Sequence, residues 1–168
     1  SEAEAGEMVR AVMERMDIAR DLAALKKENP FICIKPNLVV AQPAQWGATT
    51  DPGLVRGVIG YLREKGYDNI AIMESAWVGD STEKAFKACG YREIAAEFSV
   101  PLVDLKKDRS VGRAVDGLKM EICARLLEVD YLINMPVLKA HCQTRLTCAL
   151  KNLKGCVPDR EKRRFHRL

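Results

Sequence analysis

Asn29-Pro30-Phe31-Ile32-Cys33-Ile34-Lys35-Pro36-Asn37 is the stretch on which the fold turns. Its four apolar residues, 31–34, stand between two prolines. That run is too short for a helix and suits a strand buried on both faces. Pro30 also closes what precedes it, because a residue before proline is pushed away from helical geometry. Upstream, Met8, Val9, Val12, Met16, Ala19, Leu22 and Ala23 recur at helical spacing over residues 7–28, with no Gly or Pro among them. Residues 1–30 are therefore expected to supply an amphipathic helix packed on the domain that begins with this strand.

Downstream the same grammar repeats. Residues 40–50 form a loop rich in Gln, Ala, Pro, Gly and Thr. Thr50-Asp51-Pro52 is a helix start, a capping side chain followed by proline in the first turn. Leu54, Val55, Val58, Ile59 and Leu62 carry that helix to a glycine stop at Lys65-Gly66. Residues 69–73 read as the next strand. A helix beginning at Ser81 or Thr82 closes at Cys89-Gly90, and residues 100–105 read as a third strand interrupted by Pro101. A polar, Gly-containing connection is expected over 106–118, then a mixed segment to Glu128. Residues 131–135 form the fourth strand, halted by Pro136. Strands alternating with helices predict an α/β fold of Rossmann-like type: a mainly parallel sheet of four or five strands with helices on both faces. Right-handed crossovers bring the strand carboxyl ends to one edge, where open α/β sheets bind ligands.

Size and composition agree with a single globular domain over residues 1–168: 48% of residues are hydrophobic and 30% charged. No run approaches the ~20 apolar residues that cross a bilayer, so no membrane partner is expected. Ser1-Glu2-Ala3-Glu4-Ala5 is acidic where a secretion signal is basic, which points to a cytoplasmic protein. The six cysteines then read as reduced thiols, with Cys33 and Cys123 as small buried hydrophobes. Of the net charge of +4, the excess lies at the end: residues 151–168 hold seven basic and two acidic residues. Residues 156–168 are thus a basic C-terminal tail. Nucleic-acid binding calls for interleaved aromatic residues, and this tail offers Phe165 alone, so nucleic acid is not an expected partner.

Polar groups gather where the strands end. The first ends in Lys35-Pro36-Asn37, the second in Glu74-Ser75, and the fourth in Asn134-Met135-Pro136, running on to Lys139 and His141. A lysine directly after a buried strand is unusual unless paired or functional. Lys35 is accordingly a ligand-binding candidate, with Asn37, Asp51, Ser75 and Asn134. Glu74, His141 and Lys139 are the candidate catalytic groups, able to move protons or fix charge; a plain Lys35–Glu74 salt bridge is the competing reading. If residues 144–155 are helical, Thr144, Thr147 and Lys151 share one face, with Asn152 and Lys154 beside it, a set suited to phosphate or carboxylate. A solvated helix face is the alternative there. Gly-x-Gly-x-x-Gly, the P-loop pattern, the Gly-x-Ser-x-Gly elbow and Cys-x-x-Cys are all missing. Cys142, Cys148 and Cys156 remain weak metal or cluster candidates, at a spacing that matches neither zinc-finger pairs nor ferredoxin runs.

Several of these stretches resemble one family. They are Ile34-Lys35-Pro36-Asn37-Leu38-Val39, Thr49-Thr50-Asp51-Pro52, Glu74-Ser75, Asp130-Tyr131-Leu132-Ile133-Asn134-Met135-Pro136-Val137-Leu138-Lys139-Ala140-His141 and Thr147-Cys148-Ala149-Leu150-Lys151-Asn152-Leu153-Lys154-Gly155-Cys156. Together they are similar to the domain-of-unknown-function family 362, over residues 31–166. Ala140 stands where the family usually has Thr. Members are often described as iron–sulfur proteins because many carry a separate ferredoxin-like module, which the chain lacks, so the resemblance does not imply a cluster here. Members also continue past the Phe165-His166 segment, which implies a fragment or short version of a longer family domain.

Three functions compete at this point. The first is an enzyme or binding protein for an anionic small molecule bearing carboxylate or phosphate. The second is a redox accessory domain that docks an acidic ferredoxin-like partner through its basic tail. The third is a structural module whose cationic edge merely binds ions.

Overall fold

The computed structural model describes residues 2–165. Its centre is a four-stranded, all-parallel sheet made of β1 (Ile32–Pro36), β2 (Ile70–Glu74), β3 (Leu102–Asp104) and β6 (Tyr131–Met135), in the order β3-β2-β1-β6. The helices are α1 (Glu2–Arg15), α2 (Ile18–Ala24), α3 (Pro52–Glu64), α4 (Thr82–Ala88), α5 (Tyr91–Phe98), α6 (Ala149–Asn152) and α7 (Asp159–Arg164). Two antiparallel hairpins complete it: β4 (Ser110–Val115) with β5 (Leu118–Cys123), and β7 (Lys139–His141) with β8 (Arg145–Thr147). The α/β class and the parallel, Rossmann-like sheet match the sequence reading, with four strands.

Side-chain alternation divides the core in two. Ile32, Ile34, Ile70 and Ile72 face one way and meet Val55, Val58, Ile59 and Leu62 of α3, Phe86 of α4 and Ile94 of α5. Cys33, Ala71 and Met73 face the other way and meet Leu105 and Cys123, with Leu126 and Val129 packed on them. That second face is crossed by short helical turns at Leu105–Lys107 and Ala124–Glu128 and by the end of the β4–β5 hairpin. The chain therefore steps outward from β1 to β2 to β3, then returns across the sheet to lay β6 on the far side of β1. Strand order reverses between β1 and β6, and a crevice opens at the carboxyl ends of strands at such a reversal.

The N-terminal segment departs from the expected single helix. Asp17 takes a left-handed conformation (φ 57°) and breaks the segment into α1 and α2. The break leaves no trace in the apolar spacing, because Ile18 and Leu22 continue it and both are buried; Asp is among the residues that tolerate this geometry. α1 packs on α3 at Gly57, where an added Cβ would lie 3.1 Å from that of Val9.

Two other expectations change. The connection over 106–118 contains the β4–β5 hairpin, turned at Asp116 (φ 49°) and Gly117 (φ 81°), the pairing that two-residue turns favour. The segment 144–155 is not one helix: Arg145–Thr147 pairs with Lys139–His141, and α6 holds only Ala149–Asn152. The third strand is also shorter than read, because Pro101 contributes only its carbonyl, to the N–H of Ile72. No helix among the described residues is long and apolar enough to cross a membrane.

Candidate functional site

β1 and β2 lie side by side and end together, which brings Lys35 to Glu74. The Lys35 Nζ is 3.0 Å from each carboxylate oxygen of Glu74 and 3.0 Å from the carbonyl of Pro36. An ammonium has three protons, so all of its donors are taken. Glu74 also accepts from the backbone N–H of Leu38 (3.0 Å) and of Ser75 (2.7 Å). Lys35 is 0% exposed and Glu74 2%, so the pair is sealed from solvent. Lys35 therefore faces a protein carboxylate and has no donor left for a ligand, while Glu74 borders the cavity as the acceptor of four hydrogen bonds.

Over this pair lies a cavity of about 370 Å³ at the carboxyl ends of the strands. One wall is apolar, made of Val39, Val40, Ala76, Trp77 and Val78. The other carries Lys139, Lys151 and Lys154, with His141, Thr147 and Asn152. The β7–β8 register explains part of this wall, since Lys139 lies directly opposite Thr147. Lys139 donates to the carbonyl of Ala48 and, at 3.5 Å, to Oδ1 of Asn37.

The cationic wall is electrostatically unfavourable on its own. Burial lowers the proton affinity of Lys139, and the neighbouring Lys151 lowers it further, against a smaller opposing effect of Glu74. Burial lowers that of Lys151 as well. Lys154 is lowered by burial, then by Lys151 and Lys162. The hydroxyl of Thr147, in a residue only 4% exposed, has no hydrogen-bond partner among the described residues. Native proteins rarely leave a buried hydroxyl unsatisfied. The Nδ1 of His141 accepts from the backbone N–H groups of Gln143 (3.1 Å) and Thr144 (3.2 Å), which places the proton of the neutral ring on Nε2.

Of the residues singled out in the sequence, Asn37, Glu74, Ser75, Lys139, His141, Thr147, Lys151, Asn152 and Lys154 line this cavity. Asn152 also has a framework role, donating to Oδ1 of Asn134 (2.8 Å) and to the carbonyl of Pro36 (3.3 Å). Asn134 in turn donates to the carbonyl of Ala149 (3.0 Å) and stands outside the cavity. Asp51 is the exposed cap of α3, accepting from Gly53 N–H at 2.7 Å, also outside it. Thr144 is exposed, its hydroxyl donating to the carbonyl of Leu146, because β8 rather than a helix claims its neighbours.

Sequence reasoning missed Trp77, Lys106 and Lys162. Lys162 is buried and donates to Ser75 Oγ, to the carbonyls of Ser75 (3.1 Å) and Ala76 (2.9 Å), and to Asp159 (3.1 Å). Lys106 donates to the carbonyls of Trp77 (2.8 Å) and Asp80 (2.6 Å). These two lysines fix the loop after β2. The basic C-terminal segment turns only Lys162 inward among its described basic residues; Arg160 and Arg164 stay at the surface, where Arg160 binds Glu121 and Ser110 and Arg164 binds Glu161. Its last three residues, including Arg167, lie outside the described residues.

The three cysteine candidates do not form a cluster site. Cys142 is exposed, Cys148 and Cys156 are half-buried, and burial pushes the Cys156 thiol up to about 11. Among the described residues no three His, Cys, Asp or Glu side chains are grouped to hold a metal ion. The residues present do not fit an iron–sulfur cluster.

Comparison with known proteins adds the following. Over 163 residues the chain is 24% identical to the thylakoid-associated protein sll1697 of Synechocystis sp., an alignment covering 97% of this chain and 50% of the other. The chain thus spans about half the length of that curated relative. No solved structure matches it. A family model described as domain of unknown function (DUF362) matches residues 32–168, most of the chain and all of the cavity's lining. The chain belongs to this family.

Proposed function

We propose that the cavity binds a small molecule through a carboxylate or phosphate group held by Lys139, Lys151 and Lys154. One observation carries this reading. Three half-buried ammonium groups with lowered proton affinity surround one cavity, and the nearest carboxylate, Glu74, is already committed to Lys35. An anion offsets the cost of burying those charges and accepts their hydrogen bonds more strongly than water does. His141, with its proton on Nε2, and Lys139, with its weakened hold on a proton, are the groups suited to acid–base chemistry on a bound ligand. Lys35 and Glu74 shape the floor beneath it. A cytoplasmic location goes with this reading, in keeping with six free cysteines.

Isothermal titration with inorganic phosphate and with acetate tests it. Saturable binding by the wild type, lost about tenfold or more in Lys139→Met and in Lys151→Met, is the expected result for charged hydrogen bonds. Equal heats from wild type and both variants would remove the site. Docking of an acidic ferredoxin-like partner draws less support, because Arg160, Lys162 and Arg164 of the basic segment already have partners within the domain.

A further inference from the structure

Trp77 is 55% exposed at the edge of the cationic cavity, and it also lines a second, adjoining cavity of about 720 Å³ that extends past His141 to Cys142 and Arg163. A tryptophan is usually among the more buried residues of a domain, since its large ring gains most from leaving water. Here the ring is left in the open, yet its mount is rigid. The Trp77 N–H donates to the carbonyl of Val39 (3.0 Å), and its carbonyl accepts from Lys106 (2.8 Å) and from the N–H of Asp80 (2.9 Å). Lys162 holds the two residues before it.

The ring's position is set by Gly79. A Cβ at that residue would lie 2.2 Å from Cζ3, 2.4 Å from Cη2 and 2.8 Å from Cε3 of the indole, so the ring occupies space that only a glycine leaves empty. Val39, Val40 and Val78 border the same passage between the two cavities. An aromatic plate on a fixed backbone, beside branched aliphatic walls and a few residues from a cluster of lysines, has the form of a platform for a flat ring.

We infer that the ligand of this cleft carries a planar aromatic ring that stacks on Trp77, joined to the anionic group that the lysines hold. This rests on the anion-binding reading above and adds the second half of the ligand. Stacking on a preorganised indole strengthens binding by about tenfold. Anions of the same charge without a ring occupy the lysines but leave Trp77 untouched.

The test uses two matched pairs of probes: phenyl phosphate against inorganic phosphate, and benzoate against acetate. The Trp46→Phe background leaves Trp77 as the single indole of a chain with two tryptophans, so its fluorescence reports the site directly. The expected result is that the ring-bearing member of at least one pair binds about tenfold more tightly than its partner. It should also perturb Trp77 emission. That gain should vanish in Trp77→Ala, persist in Trp77→Phe, and vanish in Gly79→Ala, where the indole is present but displaced. Inorganic phosphate should bind all four proteins alike. If the ringless anions bind but the ring adds nothing, or if Trp77→Ala keeps the gain, the platform is refuted while the anion site stands. If none of the four probes binds the wild type, both fail together.

Discussion

A methyl group added at Gly155 would stand 2.2 Å from Oε1 of Glu74 and 2.8 Å from both Cε and Nζ of Lys35. Gly155 is the lid that lets the C-terminal segment close over the buried ion pair, and no other residue is thin enough. Gly155→Ala should lower stability by roughly 1–3 kcal/mol through overpacking. A urea unfolding midpoint unchanged from wild type would show that the pair yields more easily than its four hydrogen bonds to Glu74 suggest.

The Lys35–Glu74 pair is expected to be worth most when broken from one side. Lys35→Met or Glu74→Gln leaves a buried charge without its counter-ion and with only neutral partners to hold it, at a cost of about 3–5 kcal/mol. The double variant Lys35→Met with Glu74→Met should lose much less than the sum of two such losses. Chemical denaturation of the three proteins measures this coupling. Additive losses would mean that the two side chains act independently.

Thr147 should separate stability from binding. Its buried hydroxyl has no partner among the described residues, so the near-isosteric Thr147→Val is expected to raise stability by about 1 kcal/mol. The same change should leave phosphate binding unaltered, since the hydroxyl is not accessible from the cavity. A variant that loses both stability and affinity would place the hydroxyl in the framework instead.

The lysine wall sets a pH dependence. Lys139, Lys151 and Lys154 each bind a proton less tightly in the fold than the ordinary lysine value of 10.5. Between their folded values and 10.5 the unfolded chain therefore holds more protons, and ligand-free stability should rise with pH across that window. A bound anion needs the lysines charged, so its affinity should fall as pH rises through the same window. Thermal melts from pH 7 to 10, with and without phosphate, should show the phosphate-induced shift shrinking as pH increases. A constant shift would separate the lysines from the binding event.

Much of the architecture was legible because the chain punctuates itself. Pro30, Pro36 and Pro136 bracket strands, and Thr50-Asp51-Pro52, Lys65-Gly66 and Ser81 mark helix ends that the fold keeps. The β4–β5 hairpin is equally marked, by Asp116-Gly117 between apolar residues, but the polar stretch around it reads as a loop. Around Arg145–Thr147, hydroxyl and ammonium groups at three- and four-residue spacing fit a helix face as well as a hairpin followed by one short turn, so the spacing does not decide between them. The oddity of a lysine after a buried strand showed in the sequence, with Glu74 as one of two readings of its partner. Whether Lys35 meets a ligand or Glu74 depends on how β1 and β2 align, which no local pattern records. Lys162 was hidden for a similar reason: within a run of basic residues, nothing local distinguishes the one that turns inward.

The grip of Lys162 on Ser75 and Ala76 spans nearly ninety positions of the chain. During synthesis, the parallel sheet can assemble once β6 has left the ribosome, but the loop bearing Trp77 lacks one of its two anchors until α7 emerges. Ligand capture should therefore arise later in synthesis than the sheet itself, and a cut that severs α7 from the sheet should abolish it while leaving the strands paired.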